Sequence, residues 1–368
     1  MNSKRVVFTG GHAGTTAIAV IEEVKRQNLG WDIYWIGPKK TFEGKAISSY
    51  HSRVFPRLGV VYKGINTGRL QRRLSIWTIP SILRIPFGFI QAFRQITAIK
   101  PSAVVSFGGY VAFPVAAAAW ILGIPVIIHE QTMAAGLANK LTSFFARKIA
   151  LARKASEEYY SKGKTEVTGN PIMSAILSVK PKTKIGNPPT IYITGGSSGA
   201  QAINRAVNSV LEKILLNYKV IHQTGDLDFS FFEKRKESMD KKLKDRYEVF
   251  GFMDPSEIYK VYEKADIIIS RAGANTVSEI MTIGIPSILI PIPWARYDEQ
   301  TKNADLAKVS GIARVLKQNV LAGQKLLDEI EGTKKEWVHM VNSMDRSIGL
   351  LDKGASLRVV DIIKRYIK

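Results

Sequence analysis

Glu279 follows Gly273-Ala274-Asn275-Thr276-Val277-Ser278, a glycine-led segment that reads as the opening of a helix. Amides at such an opening bind phosphate oxygens without a lysine or a metal. A carboxylate one turn further in can accept hydrogen bonds from the two vicinal hydroxyls of a ribose. In a first turn the same glutamate would serve equally to compensate the helix dipole. A second opening, Ser197-Ser198-Gly199, aims its amides at the same crevice. Farther on, Gln300 and Asn303 bring side-chain amides, which read sugar hydroxyls because they donate and accept at once. Taken alone, that run is equally a solvated helix start.

Thr9-Gly10-Gly11-His12 places glycines and a histidine after the strand-like run 5–9, where open α/β sheets take ligands. A histidine beside a helix N-terminus suits general-base chemistry, because its pKa lies near neutrality and the dipole disfavours its cation. Capping the turn would use it equally. His129-Glu130-Gln131-Thr132 closes another apolar strand, a grouping that points to a site. His51, His222 and His339 stand in unrelated contexts. No pair of histidines has helical metal-ligand spacing, so no structural zinc and no metal-ligand set is expected, which leaves any divalent metal requirement open. With no cysteine in the chain, disulfides, thiolate metal sites and cysteine nucleophiles are all excluded, as fits a cytosolic protein.

These loops need elements to hold them, and the sequence supplies the same plan twice. Residues 5–14 and 190–200 each give a strand, a glycine-rich turn and a helix start. Val104-Val105-Ser106-Phe107-Gly108-Gly109-Tyr110 and Ile268-Ile269-Ser270-Arg271-Ala272-Gly273-Ala274 give each half a second strand and glycine loop. Each is followed by a helix, Gly-Ile-Pro and another apolar strand. Alternation of this kind predicts parallel α/β sheets, and the echo predicts two Rossmann-like domains facing each other across a cleft. The boundary is expected near Gly169-Asn170-Pro171, giving domains 1–168 and 169–346, with a last helical segment at 350–367.

The 368 residues carry 53 Lys and Arg against 31 Asp and Glu, a formal charge of +22, so an anionic partner is expected. Residues 69–94 mix Arg69, Arg72, Arg73, Arg84 and Arg94 with Trp77, Phe87 and many aliphatic side chains. That mixture suits a helix lying in an anionic bilayer interface, or else a core helix pair with solvated arginines. It lacks the polar base readers of a nucleic-acid surface, and no nucleic acid is expected. The start shows no apolar signal core, and no run reaches the length of a spanning helix, so a soluble or surface-bound protein is expected.

Assembled in order, the motifs resemble glycosyltransferase family 28, with its GT-B fold. They are Thr9-Gly10-Gly11-His12; Gly108-Gly109-Tyr110-Val111 with Pro114; His129-Glu130-Gln131 with Ala135-Gly136-Leu137 and Asn139-Lys140; and Gly169-Asn170-Pro171. Gly195-Gly196-Ser197 with Gly199-Ala200, His222-Gln223 with Gly225, Arg271-Ala272-Gly273-Ala274 with Thr276-Val277-Ser278-Glu279, and Gln300 with Asn303-Ala304 complete the set. The resemblance covers most of the chain. It implies an inverting transferase that moves N-acetylglucosamine from UDP-N-acetylglucosamine to the 4-hydroxyl of a polyprenyl-pyrophosphate-linked muramyl peptide in peptidoglycan synthesis, with no cofactor.

By position, the resemblance makes His12 the catalytic base, with Thr9, Gly10, Gly11 and Thr132 among the substrate contacts. Ser197 falls on the diphosphate and Met253 on the uracil. Ala274, Asn275, Thr276, Val277, Ser278 and Glu279 hold diphosphate and ribose, and Gln300 and Asn303 read the sugar. Gly108, Gly109, Tyr110, His129 and Glu130 fall on the acceptor side. It also implies that the first domain, completed by a C-terminal helix at 347–368, docks on the cytoplasmic face of the cell membrane through Arg72, Arg73, Trp77, Arg84 and Phe87. This chain departs from the family pattern in lacking the leading glycines of the first loop, in Thr15 for a proline, and in Thr132, Met173 and Ser198. Those departures leave two other readings: transfer to a different lipid acceptor, or a diverged homologue that binds nucleotide or lipid without catalysis.

Overall fold

The computed structural model describes residues 3–11, 14–39, 50–68, 78–196 and 199–367. The chain forms two compact units, Met1–Met173 with Gly354–Lys368, and Ser174–Lys353. Helix Ser347–Lys353 stays with the second unit, so the return to the first begins at Gly354 rather than at residue 347.

The first unit holds a seven-stranded parallel sheet of β1 (Arg5–Thr9), β2 (Asp32–Pro38), β3 (Val61–Ile65), β4 (Ala103–Ser106), β5 (Val126–Glu130), β6 (Lys148–Leu151) and β7 (Thr165–Val167). Its order is β3-β2-β1-β4-β5-β6-β7. The second unit holds β8 (Thr190–Thr194), β9 (Lys219–Gln223), β10 (Tyr247–Phe250), β11 (Ile267–Ser270), β12 (Ser287–Leu289) and β13 (Ala313–Val315), ordered β10-β9-β8-β11-β12-β13. All pairings are parallel, and the second order repeats the first up to its added edge strand. The α/β class and two Rossmann-like sheets read from the sequence are therefore present.

Central strands such as β4, β5 and β11 are buried along their whole length, which is why they read as unbroken Val and Ile runs rather than alternating ones. In each sheet the strand order reverses beside the first strand, between β1 and β4 and between β8 and β11. Ligands of open α/β sheets bind at the carboxyl ends of strands flanking such a reversal. Both glycine-rich loop pairs lie there. The returning helix Ala355–Tyr366 packs on helix Gly14–Arg26. Arg358 Nε donates to the Thr168 carbonyl at 2.8 Å, and Arg365 pairs with both oxygens of Glu166.

Candidate functional site

In the second unit, the register Thr194↔Ser270 sets the loops after β8 and β11 side by side. Thr194 Oγ1 accepts the Gly196 amide at 3.0 Å and donates to Gln223 Oε1, which fixes the start of the first loop. The loop then turns back on itself, and this requires glycine. A Cβ on Gly195 would lie 2.2 Å from the Ala200 nitrogen, and one on Gly199, at φ +73°, would lie 2.1 Å from the Thr224 carbonyl oxygen. The backbone beneath the loop is braced by buried His222, which bonds Tyr247 and Asn204, while Asn204 donates to the Thr224 carbonyl and to Asp228. Burial lowers His222 to about 3, so it stays neutral and acts as structure.

Gly273 opens helix Ala274–Ile283 as an N-cap with no side-chain oxygen to offer, and a Cβ there would meet nothing within 4 Å. The helix that carries Ala274, Asn275 and Thr276 therefore starts without a side-chain cap from Gly273, the kind of opening that can take a phosphate. Val277 and Ser278 are buried behind them. Glu279 follows, also buried, and accepts the Tyr262 hydroxyl at 2.7 Å. Burial pushes its carboxyl up to about 7, opposed by the Tyr262 bond. Met253, half-buried, sits on the loop after β10.

Two expected sugar readers also brace the loops. Asn303 is buried and donates Nδ2 to the Ala272 carbonyl at 3.1 Å, shaping the loop that opens the helix. Gln300 Oε1 accepts the Ile292 amide at 3.1 Å, which leaves only its Nε2 to meet a sugar. Just before it, Tyr297 and Asp298 both adopt left-handed backbone conformations at φ +52° and +53°. Non-glycine residues pay for that geometry, and it turns the chain sharply into helix Glu299–Val309.

In the first unit, the register Thr9↔Ser106 joins the loops after β1 and β4, and the Gly11 amide donates to the Gly108 carbonyl at 2.9 Å. Gly108 and Gly109 take φ +81° and +88°. Gly10 packs on the Trp35 ring, and Tyr110 is half-buried beside them. Thr9 is buried, and its hydroxyl has no hydrogen-bond partner among the described residues. Thr16 Oγ1 donates to Gln131 Oε1, tying the first helix to the loop after β5.

His129, Glu130 and Thr132, expected to meet substrate, are held by neighbours within the first unit. His129 is buried against the Gly169 carbonyl, and burial lowers it to about 4. Glu130 is a hub. It accepts the Thr132 amide and hydroxyl, the Gly136 amide, Asn139 Nδ2 and the Tyr160 hydroxyl. The Thr132 hydroxyl lies against both Glu130 Oε1 and the Ala134 carbonyl, and its one proton can serve either. These bonds shape the loop after β5.

His12, Ser197, Arg72, Arg73 and Trp77 lie outside the described residues. Arg84 and Phe87 stand exposed on helix Thr78–Ile99, whose other face carries Ala92, Ile96 and Ile99 into the core. That helix packs on Ala112–Ile121, which packs on Leu137–Thr142. Along this face Leu83, Phe87, Trp120, Ile121, Leu141 and Phe144 are exposed, with Trp120 and Phe144 rings 5.9 Å apart. Exposed Lys140 and Arg147 lie on the same stretch. Phe144 and Leu141 were not legible in the sequence, because an apolar run does not say which member faces out. No described helix is long and apolar enough to cross a membrane.

Residues 6–151 match the glycosyltransferase family 28 N-terminal domain, and residues 190–355 the glycosyltransferase family 28 C-terminal domain. A UDP-N-acetylglucosamine–N-acetylmuramyl-(pentapeptide) pyrophosphoryl-undecaprenol N-acetylglucosamine transferase of Exiguobacterium is 32% identical over 372 residues, covering 98% of each chain. The protein of the same name from Halothermothrix orenii is 34% identical and covers 89% of each. Among solved structures, MurG of Acinetobacter baumannii superimposes with a TM-score of 0.62 at 26% identity, covering 98% of this chain and 99% of its own.

Proposed function

The chain belongs to glycosyltransferase family 28, and from that premise we propose that it transfers N-acetylglucosamine from UDP-N-acetylglucosamine to the 4-hydroxyl of a polyprenyl-pyrophosphate-linked muramyl peptide. The fold is GT-B. The observation that carries the donor half is the paired loop system of the second unit. There, the turn at Gly195 and Gly199 and the uncapped opening at Gly273 lie on adjacent strand ends, with Glu279 one turn in.

In the reaction the acceptor oxygen forms a bond to the anomeric carbon as the bond from that carbon to the diphosphate oxygen breaks, which inverts the centre. The acceptor proton goes to a base, for which His12 is our candidate, and the departing diphosphate takes up negative charge. The amides at the opening of helix Ala274–Ile283 answer that charge where it develops, and they are fixed beforehand. Asn303 and Gln300 hold the flanking loops in place, and Met253 is the candidate contact for uracil. The acceptor pyrophosphate would meet the glycine loops at Gly11 and Gly108–Gly109 of the first unit.

The polyprenyl tail stays in its bilayer, so the first unit must come to it. The exposed stripe of Leu83, Phe87, Trp120 and Phe144, flanked by Arg84, Lys140 and Arg147, offers both insertion and attraction to anionic headgroups. We place the protein peripherally on the cytoplasmic face of the membrane on this basis. A panel of acceptors tests the proposal. Labelled sugar should reach the muramyl-peptide lipid and not polyprenyl phosphates lacking the muramyl group. Label on another lipid, or UDP binding with label on none, would replace the proposal with one of its two rivals.

A further inference from the structure

We propose that Tyr262 is a positioning residue for donor recognition: its hydroxyl holds Glu279 from inside the second unit and presents the carboxylate to the ribose diol. The inference rests on the proposed reading of Glu279 as the ribose acceptor.

Helix Ile258–Lys264 is short and mostly polar, and Tyr262 is the residue it buries. Only 3% of Tyr262 is exposed, and its hydroxyl lies 2.7 Å from Glu279 Oε2. The Tyr192 ring stands edge-on to Tyr262, with centroids 6.0 Å apart, and Tyr192 sends its own hydroxyl to Gln223. Tyr192 therefore supports the ring without competing for the carboxylate. A carboxylate has about four lone-pair sites. One bond to Tyr262 fixes its rotation and leaves acceptor capacity on both oxygens for the two ribose hydroxyls. An acceptor held before the ligand arrives does not have to be ordered on binding.

The same bond bears on charge. Glu279 forms no ion pair among the described residues, although helices Ser174–Leu177, Glu299–Val309 and Ser347–Lys353 also pack on its helix. The titratable groups facing it are Tyr262 and Tyr192, both neutral donors pushed up by burial and by the carboxylate itself. Burial alone disfavours the ionised form, and the Tyr262 bond opposes that. Tyr262 thus keeps a buried carboxylate available as an acceptor near neutral pH.

Helix Ile258–Lys264 also continues directly from the loop bearing Met253. Asp254 starts the intervening turn, accepting the Ser256 amide at 3.0 Å and its hydroxyl at 2.7 Å. One continuous segment therefore carries both the candidate uracil contact and the tyrosine that holds the ribose carboxylate.

Calorimetric titration of the full chain with UDP and with 2′,3′-dideoxy-UDP, between pH 6.5 and 9, separates the possibilities for wild type, Tyr262→Phe and Glu279→Gln. Tyr262→Phe should lose about tenfold in UDP affinity at pH 7, the scale of one disturbed hydrogen bond to a charged group. Its preference for UDP over the dideoxy analogue should shrink, and both losses should recede toward pH 9 as Glu279 ionises again. If Glu279→Gln loses the preference and Tyr262→Phe keeps it, the positioning role is wrong while the ribose reading stands. A Tyr262→Phe deficit equal for both ligands and constant with pH would mean general loosening, and it too overturns the proposal. If Glu279→Gln keeps the preference, the ribose reading fails and takes this inference with it.

Discussion

A methyl group on Gly109 would sit 2.7 Å from the amide nitrogen of Gly11 and 2.8 Å from its Cα. The two loops of the first unit therefore meet backbone to backbone, and Gly109 also holds φ +88°. Gly109→Ala should cost about 1–3 kcal/mol from backbone conformation alone, before any steric shift. We expect a lower denaturation midpoint and sharply reduced sugar transfer with UDP affinity unchanged, because the donor is assigned to the other unit. Equal loss of UDP affinity in calorimetry would show that the glycine contact serves the donor.

The Glu130 hub predicts a different pattern from a residue that touches substrate. Glu130→Gln replaces an acceptor oxygen with a donor among five donors, so about 2–4 kcal/mol of stability should be lost. Tyr160→Phe removes one donor and should cost less, about 1–2 kcal/mol. Urea unfolding of both variants checks the order. A fully stable Glu130→Gln with lost activity would return Glu130 to the acceptor side.

Stability against pH carries two opposite signatures. Glu279 is raised to about 7, so the folded state binds its proton more readily than the unfolded state does. Its contribution is full below about pH 4.5 and is lost as pH rises through 7, on the order of 3 kcal/mol. His129 and His222 are lowered to about 4 and about 3, so their contribution is full above pH 6.5 and falls on acidification, by about 2 kcal/mol each at pH 5. The slopes oppose each other between pH 4.5 and 6.5, so each is read against its own variant. Glu279→Gln should be more stable than wild type at pH 8 and gain nothing at pH 4.5. Thermal melts in which the two chains differ equally at both pH values would contradict the assignment.

Membrane docking should have separable parts. Arg72, Arg73 and Arg84 changed to glutamine should weaken sedimentation with anionic vesicles by about 1 kcal/mol per charge. High salt should mimic that loss, since the screening length falls from about 8–10 Å at physiological strength to about 3 Å at 1 M. Phe87, Trp120 and Phe144 changed to serine should remove the salt-resistant remainder. Equal binding to neutral and anionic vesicles would remove the electrostatic part.

The two parallel sheets and their glycine loops were legible because strand, turn and helix start are local signals, and the chain states them twice. The roles of individual side chains were legible only where neighbours in sequence are also neighbours in space. Glu130 is followed at once by Gln131 and Thr132, but its Tyr160 donor arrives thirty residues later, so its bonding could not be read from the run itself. Asn303 reads as a sugar contact, and its bond to the Ala272 carbonyl, thirty-one residues back, is not visible in its spacing. Tyr262 sits in a polar, unremarked stretch, and nothing in Ile258-Tyr259-Lys260-Val261-Tyr262-Glu263-Lys264 says which tyrosine turns inward. Pairing across elements decides each of these, and spacing along one element does not carry it.

The proposed reaction couples the loss of UDP from the donor to a new bond on a membrane-held acceptor. The most direct measurement follows UDP release and label incorporation together, using labelled UDP-N-acetylglucosamine and polyprenyl-pyrophosphate-linked muramyl peptide in anionic vesicles. We expect one UDP for each labelled lipid, with release negligible when acceptor is omitted, and the new linkage at the muramyl 4-hydroxyl. UDP released at the same rate with and without acceptor, or bound donor with no labelled lipid, would contradict it.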